Sequence, residues 1–484
     1  MEDALVWILN RLTPRPAPKR EPEDETSAIP IGWVTATPGN SLPCSERLLG
    51  EELDRHVYVL GRSGSGKSRF TELVMRWHIR QRQGFCLVDP HGELCDALLA
   101  FAYREHHYGR LSDVDLLRLA LIEPFRDDNA LSLNPLDAGG GPIYPHVGEL
   151  IGIFRRLWLS SWGPRLEEIL RNTLLALALS GETLVEVPRF LTDEPYRRSV
   201  LIRIDDQAVK SYWADRFDRM SDAMKLTVVE PVLNKVNAIQ ADPQVRTLLG
   251  ARANVLNLRR LMDSGGQLLL NCSRGQLRDA GAILGSFITA QIQSAALSRA
   301  DSPAADRRPF TLLVDEFQTF RSEGFETILS EARKYRLRLV VCHQHLAQLD
   351  PSLQSAILGN VAIRVVFAVS AADAGSVLKN LDGVTLTPTE LTGLPIRHAL
   401  VWRQGKGGRV VEILPVETPE IGREALLAFA TRLRRQVSSY AVVPATTHSR
   451  ASHASVRELP TSVITTVHPK TPALAARIQE ALDD

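Results

Sequence analysis

The chain has 484 residues, 57 Lys and Arg against 56 Asp and Glu, and a formal charge of +1. It lacks the basic excess of a protein that coats nucleic acid, so any such contact must come from local patches; the length allows two or three domains with a large core. Five cysteines, at 44, 86, 95, 272 and 342, form no C-x-x-C pair, which excludes a disulfide framework and points to a reducing, cytoplasmic setting.

Residues 1–30 read as a short terminal helix and a linker. Leu5, Ile8, Leu9 and Leu12 share a helical face, and Pro14, Pro16, Pro18, Pro22 and Pro30 then alternate with Glu21, Glu23, Asp24 and Glu25, the composition of an extended spacer. The apolar run from Ala4 to Leu9 is too short to span a bilayer, and no other segment is expected to approach the ~20 apolar residues required. Folded structure is expected from Ile31, opening an α/β unit over 31–146.

Within that unit His56-Val57-Tyr58-Val59-Leu60 is a β-branched and apolar run, and Phe70, Leu73, Val74 and Trp77 recur at helical spacing. Between them stands Gly61-Arg62-Ser63-Gly64-Ser65-Gly66-Lys67-Ser68, a full G-x-x-x-x-G-K-[ST] phosphate loop in its strand, loop, helix context. The glycines let backbone N–H groups turn inward, the helix points its positive end at the phosphates, and Lys67 adds a point charge. Ser68 would ligate Mg²⁺ through its hydroxyl. The expected nucleotide-binding set is Gly61 through Ser68 with the adjoining Arg69, and the expected ligand is ATP. A second strand, Gly84 to Val88, ends in Asp89-Pro90-His91-Gly92.

From 147 to 262 helical periodicity replaces strand signals. Pro164, Glu167 and Glu168 open a helix with Leu166, Ile169, Leu170, Leu174 and Leu177 on one stripe, and further helices are expected over 207–219, 222–239 and 256–262. Strand and helix alternation returns over 263–416: Gly266 to Asn271, a helix from Ala280 to Ser298, Phe310 to Val314, Leu337 to Cys342, Val361 to Val369, and a hairpin of His398 to Trp402 with Val410 to Leu414. The fold class is therefore α/β, a largely parallel sheet covered on both faces and interrupted by an all-α insertion over 147–262. Residues 417–484 are expected to hold a helix from Glu424 to Arg435, a Ser/Thr/Pro-bearing tail and a short terminal helix.

The strand Phe310 to Val314 ends in Asp315-Glu316, the look of a Walker B segment. Asp315 would hold Mg²⁺ through its water shell and Glu316 would polarise the attacking water. Ligands of open α/β sheets sit at the carboxyl ends of strands, which gathers Asp89, Asp315, Glu316 and Gln344 on one edge. Gln344, at the end of Leu337 to Cys342, would sense the γ-phosphate; alternatively His343-Gln344 is a polar pair facing water.

Gly61 to Ser68, Val88 to Glu93, Leu313 to Gln318 and Ser330 to Gln344, with Gly359-Asn360 before the next strand, together resemble the HerA/FtsK superfamily of hexameric DNA-pumping ATPases, and within it conjugative coupling proteins of the TraD/TraG kind. The resemblance covers roughly residues 50 to 415. It implies a RecA-like P-loop motor with an inserted all-helical domain, Lys67 and Ser68 on nucleotide and Mg²⁺, Asp315 and Glu316 as the Walker B pair, and Gln344 as sensor. It also implies an arginine finger at Arg333, eleven residues before Gln344, acting across a subunit boundary, with Arg364 as the other candidate. Membrane helices and an N-terminal β-barrel seen in relatives are not expected here, so the implied location is the cytoplasm, or the periphery of the inner membrane through partners.

The implied activity is an ATP-driven, ring-forming DNA translocase, a homo-hexamer that grips DNA by its backbone and moves it during conjugation or another mobile-element process. The glycine-rich turn Arg403 to Arg409 is its candidate DNA contact, and Trp162, Arg165, Arg197 and Arg198 are candidates for a secretion or relaxosome-like protein partner. Two alternatives are an ATPase that moves or remodels protein in a secretion or defence complex, and a nucleotide-gated scaffold that recruits an effector.

Overall fold

The computed structural model describes residues 28–34, 44–126, 133–139, 141–252, 254, 256–277, 279–320 and 325–437. The expected N-terminal helix, most of the linker, and the tail with its terminal helix lie outside them. Eleven strands form one sheet: β1 (Ala28–Val34), β2 (Ser45–Leu49), β3 (Val57–Leu60), β4 (Gly84–Asp89), β5 (Leu119–Ile122), β6 (Gln267–Asn271), β7 (Phe310–Val314), β8 (Leu337–His343), β9 (Ile363–Val366), β10 (His398–Arg403) and β11 (Gly407–Ile413). The spatial order is β2-β1-β11-β10-β9-β3-β8-β7-β4-β6-β5.

From β9 to β5 neighbouring strands are parallel. Their connections carry helices, and parallel pairing needs such crossovers. The remaining four strands are antiparallel, because β10 and β11 are joined by a tight turn and β1 returns beside them. Successive residues of each parallel strand point to opposite faces. Cys86 and Val88 of β4 join one core with Leu312 and Val314, while Phe85 and Leu87 join the other with Leu313 and Val340. Strands buried on both faces are mostly apolar; β7 departs from this only at Thr311, and β8 only at Arg338 and His343 near its two ends.

Helices Lys67–Arg80, Glu93–His107 and Arg423–Arg435 pack on one face. Phe70 and Val74 supply the stripe that buries the first of them. Between β5 and β6 the described residues from Ile143 to Ser264 form helices and no strand. Leu166, Ile169, Leu170, Leu174 and Leu177 of helix Pro164–Leu179 are all buried, in the same core as the sheet's other face.

Several elements differ from expectation. Strand β1 starts at Ala28, ahead of the expected Ile31, because it pairs with both β2 and β11. Strands β2 and β5 escape a sequence reading: each is short, and pairing decides their state. The strand expected over Val361 to Val369 narrows to Ile363–Val366. Among the described residues one segment, Ala280–Asp301, is long and apolar enough to cross a membrane, against the expectation of none, and 67% of its apolar window is buried inside the protein. Four of the five cysteines are buried and all are free.

Candidate nucleotide site

The phosphate loop leaves β3 and enters helix Lys67–Arg80 through Gly64 (φ 75°) and Gly66 (φ 119°), both in the left-handed region that disfavours side chains. Its first turn is fixed by β8 and by the segment after β9: Gly61 N–H donates to His343 O at 3.3 Å and Arg62 N–H to Ala368 O at 2.9 Å. From the other side, Arg397 N–H donates to Ser65 O at 2.9 Å. A Cβ at Gly66 would lie 3.1 Å from Arg397 Cα and Phe367 Cε1, so the loop is packed as well as hydrogen-bonded.

Lys67 is buried, and its ammonium donates to Gly61 O at 2.6 Å and Arg62 O at 3.2 Å. Burial pulls its pKa down, while Glu316, Cys342 and Asp315 oppose that shift. The ammonium thus caps two carbonyls of the loop and lies in the field of the acids at the end of β7. Arg62, Ser63, Gly64, Ser68 and Arg69 are exposed, whereas Gly61 and Ser65 are buried. Arg69 pairs with Glu72 at 2.9 Å.

Strand β8 lies between β3 and β7, with Leu60 opposite His343 and Val341 opposite Val314. That order brings the residue after β8 between the phosphate loop and the acidic pair. Gln344 Nε2 donates to Glu316 Oε1 at 2.5 Å and Gln318 Nε2 to Glu316 Oε2 at 2.5 Å. Glu316 itself has φ 47°, a left-handed conformation that costs a residue with Cβ about 1–2 kcal/mol. Both carboxylate oxygens are thereby aimed by amides from two different segments.

Asp315 is buried beside it, and its carboxylate accepts from Glu316 N–H at 3.1 Å. Burial first, then the charges of Asp89 and Glu316, push its pKa up to about 6, opposed by Lys67. A cation held between the exposed Ser68 hydroxyl and Asp315 would relieve that crowding, so the donor set fits a hard divalent ion. Asp89, expected on the same edge, has a different job. Its carboxylate accepts from His91, Leu94 and Cys95 N–H groups, each at 2.9 Å, and caps helix Glu93–His107.

His343 does not face water. It is fully buried behind the phosphate loop, 3.1 Å from Tyr58 Oη, and burial with nearby Lys67 and His345 drives its pKa down to about 3. Gln318 and Arg397 are the partners that sequence reading left out. Gln318 carried a signal, its place two residues after Glu316; Arg397 carried none, since it reaches the loop from β10.

Arg333 lies elsewhere. It sits on the turn Ala332–Tyr335 before β8, whereas Gln344 follows β8. Seven strand residues separate the two edges of the sheet, about 20 Å at the usual rise. Arg364 is buried, donates to Asn380 O at 2.5 Å and to Leu358 O, and stacks over Trp402 at 4.5 Å. Its guanidinium is spent on core carbonyls and an indole of its own chain.

The glycine-rich turn between β10 and β11 is on the edge away from the phosphate loop, since β10 runs antiparallel to β9. Arg403 pairs with Glu46 at 2.5 Å and Lys406 with Glu52 at 3.1 Å, so much of its charge is already matched. Arg197 is buried against Asp218 at 2.9 Å, which removes it from the candidate partner surface, and Trp162 Nε1 donates to Glu167 at 2.9 Å.

Residues 29–133 match the family model for the central domain of the helicase HerA, and residues 309–378 match the model described as the TraM recognition site of TraD and TraG. No curated protein sequence matches the chain. Among solved structures, the bacterial conjugative coupling protein TrwB, lacking its first 70 residues, is 16% identical with a TM-score of 0.53, covering 78% of this chain and 87% of that one. TrwB in complex with ADP and Mg²⁺ is 16% identical at a TM-score of 0.55, over 78% and 89%. VirB4 of Thermoanaerobacter pseudethanolicus is 13% identical at a TM-score of 0.52, over 84% and 100%. At such identities the shared property is the RecA-like P-loop fold. With those two segments in order on that fold, the chain is similar to HerA/FtsK-type proteins, among them conjugative coupling proteins and type IV secretion ATPases, and shares their RecA-like P-loop architecture.

Proposed function

We propose that this chain hydrolyses ATP and uses the energy to move DNA through a ring of identical subunits, as a motor for conjugative or other mobile-element transfer. The observation that carries the hydrolytic part is the Glu316 carboxylate, gripped by Gln318 and Gln344 in the field of Lys67. Backbone N–H groups of Ser63, Gly64, Gly66, Lys67 and Ser68 and the Lys67 ammonium bind the β- and γ-phosphates, with Arg62 and Arg69 at the exposed rim. Ser68 and Asp315 would hold Mg²⁺, which neutralises phosphate charge when bound. Glu316 takes a proton from water as its oxygen bonds to the γ-phosphorus, the bond to the bridging oxygen breaks, and ADP leaves with that electron pair. Gln344 reports the change at Glu316 to β8.

The place of Arg333 supports the ring reading. It lies at the opposite end of β8 from its own Gln344, about 20 Å away across seven strand residues, so as a finger it would serve a neighbouring subunit. Of the basic residues 333, 334, 336 and 338, Lys334 pairs with Glu331, and Arg336 and Arg338 with Asp54. Arg333 is exposed and makes no ion pair among the described residues. Residues 147–262 would form the inserted all-α domain, and the segment matching the TraM recognition family would meet a relaxosome-like partner. The motor would work in the cytoplasm or, through partners, at the inner membrane.

A second reading, an ATPase that moves or remodels protein, is favoured by the pairing of Arg403 and Lys406 with Glu46 and Glu52, which leaves the expected DNA turn short of free charge. One experiment separates the two. ATP hydrolysis is measured for the full chain, Lys67→Ala and Glu316→Gln, with and without single- and double-stranded DNA, alongside ring size. DNA-stimulated turnover lost in both variants supports the motor; turnover indifferent to DNA redirects the search to a protein substrate.

A further inference from the structure

Arg299 and Arg307 are two arginines with no place in the nucleotide site, yet both reach the turn that carries Arg333. Arg299 is 0% exposed, and burying a guanidinium so completely is costly unless it is paired and hydrogen-bonded. Its Nη1 donates to Tyr335 O at 3.0 Å and Arg308 O at 2.9 Å, and its Nε lies 2.9 Å from Asp263 Oδ1. Arg307 Nη1 donates to Lys334 O at 2.6 Å, its other nitrogens to Ser302 O, and its guanidinium lies over the Tyr335 ring at 5.4 Å. The turn's outer carbonyls are taken as well: Arg336 N–H donates to Arg333 O at 3.1 Å and Phe310 N–H to Arg336 O at 2.9 Å. Four successive carbonyls, 333 to 336, are therefore fixed while the Arg333 side chain alone stays free.

Asp263 closes helix Leu258–Ser264, the last helix before β6. It is held by Arg259 at 2.5 Å as well as by Arg299. A continuous chain of contacts thus runs from the end of the helical stretch, through Asp263 and Arg299, to the carbonyl two residues after Arg333.

We propose that Arg299 and Arg307 are positioning residues that clamp the Ala332–Tyr335 turn so that Arg333 projects into the next subunit's nucleotide site, and that Asp263 ties this clamp to the helical stretch. The inference rests on the reading of Arg333 as a finger acting between subunits. A rigid turn gives such a finger its value, because the cost of ordering it is met before the neighbour's transition state forms.

Mixed assemblies of full chains test it. Arg333→Ala chains keep a complete nucleotide site, and Glu316→Gln chains keep a complete finger; each alone is inactive, and mixing recovers turnover at interfaces where the second serves the first. Arg307→Gln is then added to one chain or the other, with melting temperatures checked. Added to the Glu316→Gln chain, it is expected to lower the recovered kcat about tenfold with KM for ATP unchanged; added to the Arg333→Ala chain, it changes nothing. Arg299→Lys, which keeps the charge beside Asp263, is expected to show the same one-sided loss. Equal loss on either chain, or no loss on either, overturns the clamp and leaves the finger standing. Failure of the parent mixture to recover turnover overturns the finger itself, and the clamp with it.

Discussion

Gln344 and Glu316 are joined by a 2.5 Å hydrogen bond from the amide Nε2 to the carboxylate Oε1, which ties the end of β8 to the acid that follows β7. Because β8 pairs with β3 on its other side, the bond stands where phosphate chemistry meets the sheet.

Gln344→Ala should therefore separate binding from hydrolysis. Loss of an orienting partner, with the acid retained, is expected to lower kcat by about 10- to 100-fold while nucleotide affinity changes by less than about threefold. Glu316→Gln should be the more severe, by about 100- to 10,000-fold. Single-turnover hydrolysis with a parallel nucleotide-binding titration checks both; equal loss of affinity and rate in Gln344→Ala would show a binding role.

Asp315 sets a pH dependence. Its folded pKa, about 6, stands above its ordinary 3.8, so the folded protein binds the extra proton more readily than the unfolded chain. The associated stability is present below about pH 4 and is lost as pH rises through about 6. Asp315→Asn should accordingly raise the Mg²⁺-free stability at pH 8 by on the order of 1–3 kcal/mol, with no such gain at pH 4, read by denaturant melts at the two pH values. Hydrolysis moves the opposite way, because metal needs the ionised carboxylate. Turnover is expected to fall on the acid side near pH 6, and raising Mg²⁺ should shift that limb downward.

Lys67→Ala should abolish nucleotide binding while leaving the fold intact. The ammonium is buried against two backbone carbonyls, and its depressed pKa shows that burial already works against the charge. The melting midpoint without nucleotide is expected to shift by less than about 1 kcal/mol equivalent, and stabilisation by added nucleotide should vanish.

Arg434 anchors the helix Arg423–Arg435. Its Nη1 donates to Glu123 Oε2 at 2.6 Å, with both side chains buried. Removing one partner strands the other charge, so Arg434→Ala should cost about 3–5 kcal/mol, whereas Glu123→Gln with Arg434→Met should recover much of that loss. Urea melts of the three variants measure the coupling; additive losses would show that the pair does not interact.

Legibility from the residue string followed the range of the forces involved. The phosphate loop, the Asp315-Glu316 pair and the mostly apolar strands β7 and β8 were readable because their chemistry is local: φ-permissive glycines, a buried strand's need for mainly apolar side chains, adjacent acids at a strand end. Strands β2 and β5 were not, because a short segment becomes a strand only when a neighbour takes its hydrogen bonds. Asp89 and His343 were legible in position and illegible in role; whether a polar group at a strand end faces ligand, caps a helix or is buried depends on what packs over it.

Linear sequence also sufficed for the α/β class and for the long helical run between β5 and β6, both consequences of hydrophobic periodicity. Strand order is a different matter. That β8 lies between β3 and β7, that Arg397 reaches the phosphate loop from β10, and that Arg333 stands on the far edge from its own Lys67 are outcomes of packing among residues hundreds of positions apart. No local preference encodes them, since they rest on which faces can be buried together once all eleven strands have paired.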